Sequence, residues 1–198
     1  MALDAQVAAQ LDSETTATTL GSSKLGLVQL LETVFRLRSS EIDRAFLEGK
    51  ILITVLRLFF AFPWNSLLHR SVTAMIVGVL EGGDARVPLQ RQLIDDAAIQ
   101  RQVLDAYTQN QTAEASPKGR RRGYMGHLHQ VACAICKVSR DTAPVAAMLS
   151  ASPDAGEWHR FVLTVLAAQT ATQCRPLGGH DFPRREDERD LEQLQDDG

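Results

Sequence analysis

Cysteine is scarce in this 198-residue chain, which has only Cys133, Cys136 and Cys174. So odd and sparse a set is no disulfide framework, and it suits reduced thiols in a cytosolic or nuclear compartment. Long apolar runs are missing too. The longest, from Ile51 to Phe62, is interrupted by Arg57 and is too short to span a bilayer. The opening MALDAQVAAQ has no basic start and no apolar stretch of signal-peptide length, so the expected location is cytoplasmic, with the nucleus as a second site.

A strong charge of either sign is also lacking. The formal net charge is -3, and residues 181–198 alone hold eight acidic against three basic side chains. With an acidic N-terminal stretch as well, the middle of the chain is left mildly basic. That is too little for a dedicated nucleic-acid binder, whose basic excess dominates its domain. Catalytic signatures are absent: His69, His127, His129, His159 and His180 are scattered, and no serine or cysteine stands in a nucleophile motif beside a base. The expectation is a chain that is not an enzyme and carries no cofactor.

His129, Cys133 and Cys136 fall at i, i+4 and i+7, on one helical face. These are zinc-type ligands, but a structural site needs four and no second pair is present. A small thiol on a helix more commonly packs as an apolar group, so no metal is expected.

What the chain does have is apolar residues at three- and four-residue spacing in nearly every segment, with no sustained strand alternation. The class is all-α. The spacing predicts helices at about 25–38, 41–48, 50–62, 66–81, 87–95, 97–109, 124–138, 142–150 and 157–172. In the first, Leu27, Leu30, Leu31, Val34 and Phe35 face inward, and Ser39 or Ser40 caps the second. The third is apolar nearly all round and is expected at the centre. Pro63 stops it, Asn65 caps the next, and Gly82 and Gly83 end that one at positive φ.

Helices of this length on short turns, with no α/β alternation, point to a HEAT- or armadillo-like stack of helical hairpins. No strict internal repeat is visible, so a compact irregular helical bundle is the alternative. The expected divisions are a frayed segment at 1–20, a helical domain at 21–180 and a solvated acidic tail at 181–198. Thr112 to Arg122 reads as a polar linker.

Two short segments stand apart. In the first, GRRRGYMGHL (Gly119 to Leu128), three arginines precede a helix whose N-terminal dipole disfavours positive charge. An acidic helix end, a partner carboxylate or a phosphate should therefore lie opposite Arg120, Arg121 and Arg122. The flanking Gly119 and Gly123, with Gly126, allow close approach. A solvated basic loop is the plainer alternative.

In the second, FPWN (Phe62 to Asn65), Trp64 either fills the corner between two helices, the commoner use, or stands partly exposed as an anchor for a partner. His69 is expected as a surface or half-buried residue one turn on, and His127 turns away from His129. The candidate partner-binding residues are Trp64, Asn65, His69, Arg120, Arg121, Arg122, Tyr124 and His127.

FAFPWNSLLHRSV (Phe60 to Val72) and GRRRGYMGHL, in this order and with a polar linker between them, resemble the SAPS-domain family, the regulatory subunits of protein serine/threonine phosphatase 6 and its fungal counterpart. LGL (Leu25 to Leu27), WHRFV (Trp158 to Val162) and PLGGH (Pro176 to His180) fit the same pattern, so the resemblance covers roughly residues 20–180. It corresponds to the C-terminal part of a longer helical domain, with Leu3, Val7 and Leu11 as a remnant of a preceding helix.

The resemblance implies a non-catalytic scaffold that binds a phosphatase 6-type catalytic subunit and directs its activity, targeting or substrate choice. It also implies an ankyrin-repeat subunit as a further partner. Two other readings stand beside it. One is a helical module that binds nucleic acid or anionic lipid through Arg120–Arg122. The other is a truncated relative that has lost regulation.

Overall fold

The computed structural model describes residues 20–117 and 119–173. Among these residues there is helix and no strand: α1 (Ser22–Phe35), α2 (Ser40–Glu48), α3 (Ile51–Ala61), α4 (Ser66–Leu80), α5 (Val87–Arg91), α6 (Ile99–Ala115), α7 (Met125–Asp141), α8 (Ala143–Ala151), α9 (Ala155–Phe161) and α10 (Ala167–Gln173). Two π turns, Gln92–Asp96 and Val162–Leu166, prolong α5 and join α9 to α10. The expected flexible ends, 1–20 and 181–198, lie outside the described residues apart from Leu20, which is buried.

Local chemistry sets most boundaries. The Ser39 hydroxyl accepts the Glu41 amide and caps α2, where Glu41 and Asp43 in the first turn suit the helix dipole. Pro63 follows Phe62, whose φ of -117° and ψ of 70° take the chain out of α3. Asn65 Oδ1 accepts the Leu68 amide at 3.0 Å and opens α4. At the other end of α4 the expectation fails in part. Of the two glycines only Gly83 has a positive φ, 65°, and it starts a short 3-10 turn, while Glu81 caps the helix.

Packing follows a rule of three. α4 lies between α1 and α7, and α7 in turn meets the Val162–Leu166 turn; α5 lies between α2 and α8; the Gln92–Asp96 turn joins α3 to α6, which meets α9. Thus α4, α5, α7, α8 and α9 each stack on the helix three places earlier, and α6 reaches α3 through the Gln92–Asp96 turn, which gives units α1–α3, α4–α6 and α7–α9. This is the helical stack in its armadillo form, with three helices to a unit.

Stacking on both sides explains the burial of α4. Leu68, Val72, Met75, Ile76 and Val79 are inward as expected, and His69, Ser71 and Thr73 are buried as well. α3 is central, with Leu52, Val55, Leu56 and Phe59 closed to solvent.

On α1 the inward face is Val28, Leu31 and Phe35. Of the five residues expected inward, Leu31 and Phe35 are buried, Leu27 and Val34 are partly covered and Leu30 alone faces outward, at 58% exposed.

One arginine ties three of these helices together. Arg86 is buried and donates from Nε to Asp43 Oδ2 at 2.9 Å, from one terminal nitrogen to the Gly78 carbonyl at 2.9 Å and from the other to the Phe35 carbonyl at 3.2 Å. Its guanidinium also lies 3.9 Å from the Phe35 ring centroid. Side chains at Gly82 and Gly78 would crowd this cluster.

Candidate functional site

The FPWN corner and the arginine loop, nearly sixty residues apart in sequence, meet in the structure. The chain turns at Pro63 with the Asn65 amide donating to the Phe62 carbonyl at 3.1 Å. Against this turn lies Gly123. A β-carbon there would sit 2.7 Å from the Pro63 carbonyl oxygen and 3.3 Å from Trp64 Cε3, so only glycine allows the approach. Gly119 is pressed as closely onto the Ala113 carbonyl at the end of α6. The three arginines are thus held between two glycine contacts. Gly126, by contrast, faces open space and makes no close approach.

Asn110 fixes the loop further, since its Oδ1 accepts the Arg122 amide at 2.8 Å from a buried position on α6. The helix runs on to Ala115 and takes in the first residues expected in the linker. The reason is composition: Ala113, Glu114 and Ala115 are good helix formers, so polarity alone misplaced the boundary.

Tyr124 anchors the loop from beneath. It is 4% exposed, with ring centroids 5.4 Å from Phe59, 5.6 Å from Phe60 and 5.7 Å from His69. Burial pushes its phenol pKa up.

His69 corrects the expectation of a surface residue. It is fully buried, its Nε2 lies 3.1 Å from the Phe59 carbonyl and its Nδ1 has no partner. Burial brings its pKa down to about 4, so it is neutral near pH 7 and serves the core. His127 is half-buried 6.0 Å from it, with its pKa also lowered by burial. Neither Tyr124 nor His69 offers itself to a partner; they hold the loop in place.

What remains exposed is Trp64, Leu67, Arg120 and Arg121, with Arg122 half-covered. Trp64 is 62% exposed, so it does not fill the corner. Phe62 and Tyr124 do that instead. Leu67, three residues on in the first turn of α4, is 51% exposed, and nothing in the helical spacing singles it out. Arg122 and Tyr124 line one side of a cleft of about 370 Å³ whose other walls include Phe60, Pro63 and Gln109.

The anion expected opposite the arginines is not supplied from within the described residues. α7 has no acidic residue in its first turn and no side-chain cap. No described carboxylate forms an ion pair with Arg120, Arg121 or Arg122, and Asp105 in the cleft is engaged by Arg101 at 3.4 Å.

The chain matches the family model described as SIT4 phosphatase-associated protein over residues 40–175. It belongs to the SAPS family. It is 31% identical over 176 residues to SIT4-associating protein SAP190 of Saccharomyces cerevisiae, an alignment covering 83% of this chain and 17% of that protein. With serine/threonine-protein phosphatase 6 regulatory subunit 1 of Mus musculus it shares 25% identity over 162 residues, 75% of this chain and 19% of the relative. With regulatory subunit 3 of Gallus gallus the figures are 27% over 139 residues, 63% and 16%. The chain thus spans less than a fifth of the length of these relatives. No solved structure matches it.

The SAPS match covers both the FPWN corner and the arginine loop. Of the α7 residues considered for zinc, His129 is buried and Cys133 and Cys136 lie partly buried against the core. His129 and Cys133 are 3.5 Å apart, and burial pushes the Cys136 thiol up to about 11. Among the described residues no three His, Cys, Asp or Glu side chains are grouped to hold a metal, and no helix is long and apolar enough to cross a membrane.

Proposed function

We propose that this chain is a non-catalytic regulatory module that binds the catalytic subunit of a phosphatase 6- or SIT4-type serine/threonine phosphatase. Its relatives are named as regulatory or associated subunits of such phosphatases, which supports the class of partner. The observation that carries the location is the junction of the two motifs: Trp64 stands out from a rigid corner beside three arginines that no described carboxylate neutralises.

A large exposed aromatic beside arginines is the composition of an interface hot spot. Arginine forks pair well with carboxylates. A partner with an acidic patch around a shallow pocket for Trp64 fits this face. In this reading the module works in the cytoplasm and nucleus, and an ankyrin-repeat subunit joins the complex, an inference from family resemblance alone.

The test is the affinity of the purified phosphatase 6 catalytic subunit for the chain and for Trp64→Ala. Loss of an exposed anchor should weaken binding at least about tenfold without changing the helical signal, as for hot-spot aromatics. Unchanged affinity would remove Trp64 from the interface.

A further inference from the structure

A second cavity, larger than the cleft beside Arg122, lies away from the arginine loop, within the third helical unit. It has a volume of about 930 Å³, at the upper end of the roughly 300–1,000 Å³ typical of ligand pockets. α7, α8, α9 and α10 all contribute to its walls, with Cys133, Leu149, Trp158, Val162 and Leu166 giving it an apolar surface. At its floor is Gln100, from the first turn of α6 in the preceding unit.

Gln100 is 2% exposed, and neither its Oε1 nor its Nε2 has a hydrogen-bond partner. Such an amide is costly: leaving each buried polar group unsatisfied typically costs about 1–3 kcal/mol. The other buried glutamines, Gln90 and Gln92, are tied by Nε2 to main-chain carbonyls. Gln100 therefore stands out as a donor and an acceptor side by side beneath an apolar cavity. The terminal torsion of glutamine is broad, so its amide turns with little strain.

Among the residues that line the cavity Arg140 is the one always charged, and no carboxylate lines it. Arg140 has no ion-pair partner among the described residues.

We propose that this cavity binds an extended peptide segment of a partner protein, with apolar side chains against Trp158 and Leu149, a backbone amide paired with Gln100 and an acidic residue at Arg140. A backbone amide offers one donor and one acceptor, the complement of the Gln100 carboxamide. A plain hydrocarbon ligand would leave Gln100 as unsatisfied as before.

The proposal is tested on the intact 198-residue chain with a fluorescein-labelled, end-blocked peptide of sequence Asp-Leu-Leu-Asp-Leu-Leu-Asp, followed by fluorescence polarisation. A peptide with serine in place of leucine is the control. The expected result is saturable binding of the leucine peptide alone. Arg140→Glu should weaken it about tenfold, in line with losing a charge-assisted contact. Ala146→Glu, on the half-exposed wall of α8, should abolish it.

Gln100→Leu separates a binding role from a structural one. It should weaken binding at least about fivefold while raising the melting temperature, since it removes an unsatisfied buried amide. No saturable binding, or binding indifferent to Ala146→Glu, overturns the proposal. So does binding seen only after residues 181–198 are deleted, which would assign the cavity to the chain's own acidic end. Dimerisation abolished by Ala146→Glu would overturn it in favour of a second copy.

Discussion

Gly123 lies so close to Pro63 that a β-carbon at position 123 would stand 2.7 Å from the Pro63 carbonyl oxygen. This contact joins the corner that presents Trp64 to the loop that presents the arginines. Since the obstacle is backbone, it has little room to give. Gly123→Ala should lower stability by about 1–3 kcal/mol, the usual cost of overpacking, and should weaken phosphatase binding beyond that loss by moving the arginines. Urea unfolding and a binding titration on the same sample check both. An unchanged unfolding midpoint would show that the two segments are not held together at this point.

The sequence made the corner legible only in part. Pro63 and Asn65 act on their immediate neighbours, so the helix stop and the cap follow from residue chemistry. Where the Trp64 ring goes depends on which side chain occupies the corner. Phe62 and Tyr124 take that space, and Tyr124 arrives from about sixty residues downstream. His69 was misplaced for a related reason: a helix with one buried face would leave it near the surface, but α4 is stacked between α1 and α7. The triplet stacking itself leaves no strict sequence repeat to read.

Arg86 was invisible from sequence because a single arginine near a helix start reads as surface. In the structure it is buried against Asp43 and two main-chain carbonyls. Arg86→Ala leaves Asp43 and those carbonyls without their donor, so it should cost about 3–5 kcal/mol, the range for breaking one side of a buried pair. Asp43→Asn, which retains an acceptor, should cost less. Equal and small effects in urea unfolding would mean that α1, α2 and α4 are held together without this cluster.

His69 gives the fold a defined acid sensitivity. Its folded-state pKa of about 4 lies below the ordinary 6.5, so the unfolded chain takes up the proton first. The stability it contributes is complete above pH 6.5 and is lost as the pH falls from there towards 4, amounting to roughly 3 kcal/mol. The difference in unfolding free energy between the parent and His69→Gln isolates this share from the carboxylates. That difference should change with pH across the window. A constant offset from pH 7 to pH 4 would mean that His69 titrates alike in both states.

The central claim is that the arginine loop is part of the face that meets the phosphatase. The most direct measurement is the affinity of purified phosphatase 6 catalytic subunit for the parent chain and for Arg120→Glu, Arg121→Glu and Arg122→Glu combined, with far-ultraviolet circular dichroism recorded on both. Exposed loop charges contribute within about 0.5 kcal/mol each to stability, so the helical signal should be unchanged. Binding should fall by at least about a hundredfold, since several charge-assisted contacts are reversed together. An intact fold with undiminished phosphatase affinity would contradict the assignment, and lost binding of RNA or anionic vesicles in that same variant would move the loop's partner from protein to phosphate.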